Sequence, residues 1–278
     1  MIRTMTTATN TMGQLQNRLD IIGNNLANSS THGFKASEAS FQELLYQQFN
    51  NDKADDAPRQ SPLGIRYGSG AMLGQTQMNW KPGSIQMTDR ELDFTLTTSK
   101  QYFNVIVPEG GAEQTAYTRQ GTFYVSPVAS GQVMLVNGDG YPVADAAGLP
   151  ITFSDNVKNY SVRPNGTLEI TFNDGTVETA ELGVTVIDRP DLMQHISGTY
   201  IGLPENMAEL GLTPAEVLTN LQGAARNGIG MENKALEASN VNYQKEMTDL
   251  ITVQRSYQFN ARAVTLADQM LGLINGIR

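Results

Sequence analysis

The stretch "LDIIGNNLANSSTHGFKA", residues 19–36, decides how the chain begins to fold. Its first half completes a regular apolar series. Met5, Ala8, Met12, Leu15, Leu19, Ile22 and Leu26 recur at alternating steps of three and four. That heptad seam predicts one amphipathic helix over the first 28 residues, lying along another helix. The second half stops it. Asn, Ser and Thr side chains compete for the backbone's hydrogen bonds, and Gly33 permits a bend.

The far end of the chain mirrors the start. A last helix is predicted to begin near Leu236 and to carry Leu250, Val253, Tyr257, Val264, Ala267, Leu271 and Ile274 on one face, with Asn260 in the one polar slot. The steps again alternate three and four. A single amphipathic helix is ordinarily just a core helix. Two matched seams at opposite ends of one chain predict that it folds back on itself, its terminal helices forming an antiparallel pair.

Between the ends the pattern changes. Residues 36–82 read as a connection. A second helical piece is predicted over residues 37–49, where Phe41, Leu44, Leu45 and Gln48 share a face. "DKADDAPRQSP" (residues 52–62) reads as a loop, and "GIRYGSGAML" (residues 64–73) as extended chain with glycine bends. Residues 83–190 carry short β-rich runs such as "YFNVIV", "GTFYVS", "QVMLV" and "TLEITF". The turn signals "NGDG", "RPNG" and "NDG" punctuate them, and such residues tolerate the positive φ of tight hairpins. The prediction is a central antiparallel β domain, a small barrel or sandwich. Residues 191–235 read as a connecting segment. Within it Thr213-Pro214 starts a short helix ending near Gly223, and "NGIGMENKA" reads as a flexible joint. The fold class is therefore α+β.

Composition narrows the function. The chain has 278 residues, enough for a sizeable core, and is 40% apolar and 17% charged. A net charge of -9, with the 19 basic residues scattered, argues against a nucleic-acid partner. No cysteine is present, which excludes disulfides, thiolate metal sites and a cysteine nucleophile. Arg3 is followed by Thr and Asn rather than by an apolar core, so export by a cleaved signal peptide is not expected.

Residues that could carry chemistry are sparse. His32 lies in the polar turn and His195 in "DLMQHISG", neither beside an acidic constellation, so both read as surface or turn residues. Nucleophile-elbow, zinc-helix and phosphate-loop motifs do not occur. "GSGAMLG" has the wrong spacing for a dinucleotide loop. Asp89, Glu91 and Asp93 alternate as on one strand face, but the calcium-loop spacing with its central glycine is missing, so a solvated face is the better reading. No catalytic, cofactor-binding or metal-ligating residue, and no small-molecule substrate, is assigned.

The quoted stretch closely resembles the N-terminal signature of the flagellar rod and hook proteins, at Leu19, Asp20, Asn25, Ala27, Asn28, Thr31, Gly33, Phe34 and Lys35. "LEASNVNYQKEMTDLITVQRSYQFNARAVTLADQML" (residues 236–271) is similar to that family's C-terminal signature. "GSIQMTDRELDFTL" and "AYTRQGTFYV" resemble its middle. Two departures stand out: "SKQYFNV" where the family often has a Gly-Asp-Gly-Phe-Phe run, and residues 191–230, which lack its usual Asn-Leu-Phe and Ser-Gly pattern. "SPLGIRYGSGAML" is similar to distal rod proteins.

The resemblance implies a non-enzymatic subunit of the bacterial flagellar basal-body rod, self-assembling into the axial tube that transmits torque to the hook. The terminal helices would line that tube as an antiparallel coiled coil, with the β domain outside. Its partners would be further copies of itself, other axial rod and hook proteins, and the flagellar export apparatus. Subunit contacts are implied at Leu15, Leu19, Ile22, Asn25, Leu26, Ala27, Asn28, Thr31, Gly33 and Phe34, the last in a neighbour's pocket. At the other end they fall on Leu236, Ser239, Asn240, Val241, Leu250, Val253, Gln254, Arg255, Tyr257, Asn260, Val264 and Leu271. The alternative is a secreted binding or hydrolytic β domain, oligomerised through its terminal helices.

Overall fold

The computed structural model describes residues 2–43, 46–49, 65–68, 71–109, 112–128, 131–204, 207 and 211–276. The expected loop at residues 52–62 lies outside them. The chain divides into two units. One comprises Met1–Ala27, Ser37–Met78 and Asn242–Arg278, and the other Asn28–Ala36 and Asn79–Val241.

The first unit is built on helices α1 (Ile2–Ala27) and α3 (Tyr243–Gly276). The predicted N-terminal seam is the buried face of α1. Ala8, Leu15 and Ile22 are buried, and Met5, Met12, Leu19 and Leu26 are half-buried. Leu15, Ile22 and Val253 form a cluster that also takes in Leu19, Leu26, Phe41, Leu250 and Tyr257. Each of the three buried side chains contributes about 1.5–3 kcal/mol, and the half-buried ones less. Arg18 pairs with Asp249 at 3.8 Å, and its guanidinium lies 5.0 Å from the centre of the Phe41 ring.

The last helix starts at Tyr243 rather than near Leu236. Asn242 sets the start, since its side-chain oxygen accepts from the Lys245 N–H at 3.1 Å. Leu236 lies instead in strand Ala235–Glu237, paired antiparallel with Ile85–Met87 in the second unit. Periodicity carries no information about a partner strand 150 residues away.

The helical piece expected over residues 37–49 is extended at residues 37–38, 41–43 and 46–49, while Leu44 and Leu45 of its expected face lie outside the described residues. Ser37–Glu38 pairs with Gln77–Met78, Phe41–Glu43 with Ala71–Leu73, and Tyr46–Phe49 with Ile65–Gly68, all antiparallel. The ladder satisfies the backbone across chain, and Gln14 of α1 accepts the Leu73 N–H at 3.0 Å. Residues 65–68 and 71–73 are extended as expected.

The second unit is antiparallel β. A six-stranded sheet runs in the order Gln194–Ser197, Tyr200–Gly202, Ala112–Thr118, Gln101–Glu109, Val184–Ile187, Leu218–Asn220. Among the described residues its order is linear, so this sheet is open. Two three-stranded sheets accompany it, Phe123–Pro127 with Gln132–Asn137 and Thr152–Ser154, and Val157–Val162 with Thr167–Phe172 and Val177–Glu181. Side chains from all three meet in one core, including Phe103, Val105, Phe123, Leu135, Leu168 and Ile170. The Phe103 and Phe123 rings pack edge to face at 5.2 Å. The turns fall where their signals stand: Phe172 N–H bonds to Thr176 O across "NDG", and Arg163 N–H to Thr167 O across "RPNG".

Residues 191–235 are no mere connection. They supply both edges of the six-stranded sheet, and Met231–Asn233 pairs with Phe94–Leu96, so "NGIGMENKA" is ladder rather than joint. Helix α2 (Pro214–Val217) has the predicted start, with the Thr213/Glu216 capping box, but ends well before Gly223. Leu218–Asn220 turns into the sheet edge immediately after it. Asp89, Glu91 and Asp93 share no strand face. Asp93 is buried, bonded to Thr88 and paired with Arg90, while Glu91 accepts the Tyr160 N–H.

Candidate functional site

In the helical unit, the inner seam of α3 is buried at Val253 and Ala267 and half-buried at Leu250, Tyr257, Asn260, Val264 and Leu271. Asn260 turns its amide back to Ser256 O at 2.9 Å, which lets a polar residue occupy the seam. Gln254 and Arg255 are exposed, as is Ala27 on α1. Asn25 is buried. Its amide bonds both the N–H and the C=O of Ser37, each at 2.9 Å, and also reaches Glu246. Burial pushes the Glu246 carboxyl above its ordinary range, an effect the Asn25 bond and Lys245 partly oppose.

A second seam lies on the outward side of α3. Phe259, Ala263, Leu266, Met270 and Leu273 follow one another at steps of four and three. Phe259 is 67% exposed, Leu266 59% and Leu273 68%. A heptad stripe of large apolar side chains left in water is the form of an interface, not of a solvated face.

The second unit holds a buried charge cluster. Glu237 is its centre, and each carboxylate oxygen receives two donors. Oε1 accepts from Lys35 Nζ at 2.6 Å and from the Gly83 N–H at 2.8 Å. Oε2 accepts from Arg119 Nε at 2.6 Å and lies 2.5 Å from Arg119 Nη2. Arg119 spends its other donors on the carbonyls of Thr98, Gln101 and Leu96 at 2.7–2.9 Å. All five of its N–H groups are therefore used. The second cation, Lys35, also donates to Lys81 O at 2.9 Å. The three side chains are 2–4% exposed.

Two cations on one anion leave a net positive charge. Four backbone carbonyls and the face of Tyr102, whose ring centre is 5.7 Å from the Arg119 guanidinium, offset it. Burial alone would raise the Glu237 carboxyl, but Arg119 and Lys35 together hold it below the usual range. Burial draws the Lys35 amine down, against the pull of Glu237.

Two glycines make the cluster possible. Gly33 has φ +73°, and a Cβ there would stand 2.5 Å from the backbone carbon of Arg119. This close approach carries Lys35 to the carboxylate. A Cβ on Gly83 would stand 1.9 Å from Ala238 O, so only glycine can bring its N–H to Glu237.

The predicted contact residues around this cluster are thus spoken for inside the chain. Phe34 is 2% exposed, so its ring is covered without any neighbour's pocket. Asn28 accepts a bond from Thr31 Oγ1 at 3.2 Å, closing the turn after α1. Asn240 accepts the Ala36 N–H at 2.7 Å and donates to the carbonyls of Asn79 and Lys81. Leu236 is buried, and Ser239 and Val241 are half-buried. The sequence assigns no role to Arg119, and Lys35 and Glu237 enter it only as motif letters. The one available signal was that each belongs to a different one of the resembling stretches.

A chain with two seamed terminal helices, an uncovered apolar stripe and a self-contained β unit is a subunit built to associate. Three family models match it: "Flagella basal body rod protein" at residues 5–35, "Flagellar hook protein FlgE/F/G D1 domain" at 98–170, and "Flagellar basal body rod FlgEFG protein C-terminal" at 232–277. The chain is 41% identical to the flagellar hook-basal body complex protein FlhP of Bacillus subtilis, covering all of both chains. It is 30% identical to the flagellar basal-body rod protein FlgG of Caulobacter vibrioides, again end to end. The FlgG of Bacillus subtilis is 29% identical over 98% of this chain and 97% of its own. The chain belongs to the flagellar basal-body rod and hook protein family, whose members are structural and not enzymes.

Proposed function

We propose that the chain is a structural subunit of the flagellar basal-body rod, assembling with copies of itself and with other rod and hook proteins into the axial tube. The observation that carries this reading is the outward stripe of α3. Three large apolar side chains at seven-residue spacing stay more than half exposed in the single chain, and a neighbouring helix is what such a stripe accommodates. The inner seam supports an antiparallel coiled coil of α1 and α3. Asn25 meets Glu246 while Arg18 meets Asp249, so numbers fall along one helix as they rise along the other.

Export through the flagellar secretion channel belongs to the same reading. Electron microscopy of basal bodies from a strain carrying an epitope-tagged chain tests it. Label on the rod is expected, with truncated rods when the gene is deleted. Complete rods in the deletion strain overturn it.

A further inference from the structure

Around Arg119, the charge cluster joins three stretches far apart in the chain: residues 28–36, residues 79–84 and residues 235–241. Each borders a place where the chain passes from one unit to the other. The first and last are also stitched directly. Gly33 N–H donates to Glu237 O at 2.8 Å, Asn240 N–H to Phe34 O at 3.4 Å, and Ala36 N–H to the Asn240 side chain at 2.7 Å. The middle stretch ties both, through Lys81 O to Lys35 and Asn240, and through Gly83 N–H to Glu237.

We propose that Glu237 is a latch that makes residues 28–36 and 235–241 dock onto the β unit, and leave it, as one cooperative element. The reason lies in how the charges are shared. If residues 235–241 withdraw, Lys35 and Arg119 remain as two buried like charges without an anion. If residues 28–36 withdraw, Glu237 loses one of its two cations and Oε1 one of its two donors. Each half-docked state carries a buried group with lost partners, so both are depopulated relative to fully docked and fully open chain. The segment that follows α1 and the segment that precedes α3 are thereby held together or not at all. This goes beyond the rod reading and does not depend on it.

Native-state hydrogen exchange on the full-length monomer tests the latch, read by mass spectrometry at several guanidinium concentrations below unfolding. In the wild type, peptides covering 28–36 and 235–241 should share one opening free energy and one denaturant slope, both smaller than those of the core strand Gln101–Glu109. Lys35→Met keeps all but the last atom of the side-chain length and leaves the Arg119–Glu237 pair in place. It should speed exchange in both segments alike, by about tenfold or more, and leave the core strand unchanged. Acceleration in residues 235–241 is the decisive readout, because a purely local role for Lys35 would not move it. Separate slopes in the wild type, segments that open only with the core strand, or a Lys35→Met effect confined to residues 28–36 or missing from both overturns the proposal.

Discussion

Lys35 Nζ and Glu237 Oε1 lie 2.6 Å apart although 202 residues separate them in the chain. That bond, with the Arg119 pair on the other carboxylate oxygen, ties the segment after the first helix to the segment before the last. Ion pairs this buried contribute little net stability relative to apolar packing, yet losing one partner is costly because the other charge stays behind.

Glu237→Gln therefore should cost about 3–5 kcal/mol, since it strands both Lys35 and Arg119 away from water. Chemical denaturation of the purified monomer checks this. A loss below about 1 kcal/mol would mean that water reaches the cluster freely.

The same carboxylate predicts an acid limb. Lys35 and Arg119 hold Glu237 below its ordinary value of 4.5, so the folded state releases this proton more readily than the unfolded chain. Its contribution is fully present above about pH 4.5 and is lost as pH falls through the folded-state value. Melting temperature followed from pH 6 downward should drop less steeply in Glu237→Gln than in the wild type.

Glu246 has the opposite sign. Burial raises its carboxyl, so the charged form is held at a disadvantage in the fold near pH 7. That disadvantage is relieved as pH falls through the raised value. Glu246→Gln, which keeps a partner for Asn25, should raise the melting temperature of the helical unit at pH 7, with the gain vanishing in acid. Circular dichroism at 222 nm follows it (the signal of the long helices α1 and α3).

Gly33 and Gly13 make a matched test of backbone demands. Gly33→Ala meets a positive φ and the Arg119 backbone together, and should cost more than about 2 kcal/mol. Gly13 sits mid-helix with nothing within 4 Å of an added Cβ. Gly13→Ala should stabilise by about 0.5–1 kcal/mol through helix propensity. Denaturant midpoints of the two variants should move in opposite directions.

The parts legible in the sequence were those whose determinants are local. The seam from Met5 to Leu26 needs only its own spacing, and α1 ends at Ala27, one residue before the predicted limit. The "NDG" and "RPNG" turns close where they stand because their φ demands are written in four residues or fewer. What could not be read there depends on distant partners. Phe41–Glu43 fits a helical face equally well until Ala71–Leu73 offers it a ladder. Leu236 continues toward a helix until Ile85–Met87 pairs with its strand. Arg119 in "TRQG" looks like any surface arginine, because the carboxylate that buries it is 118 residues downstream. The outward seam of α3 was masked by the inner one, both running through the same helix at the same period.

The central claim is that the uncovered α3 stripe binds a neighbouring subunit, and Leu266→Asp tests it most directly. Leu266 is exposed in the single chain, so the variant monomer should melt within about 0.5 kcal/mol of the wild type. The same aspartate would be buried in an assembled tube and should stop rod growth, counted as completed basal bodies per cell by electron microscopy. Unchanged monomer stability with few or no completed rods is the predicted result. Rods completed at the wild-type frequency would contradict the account.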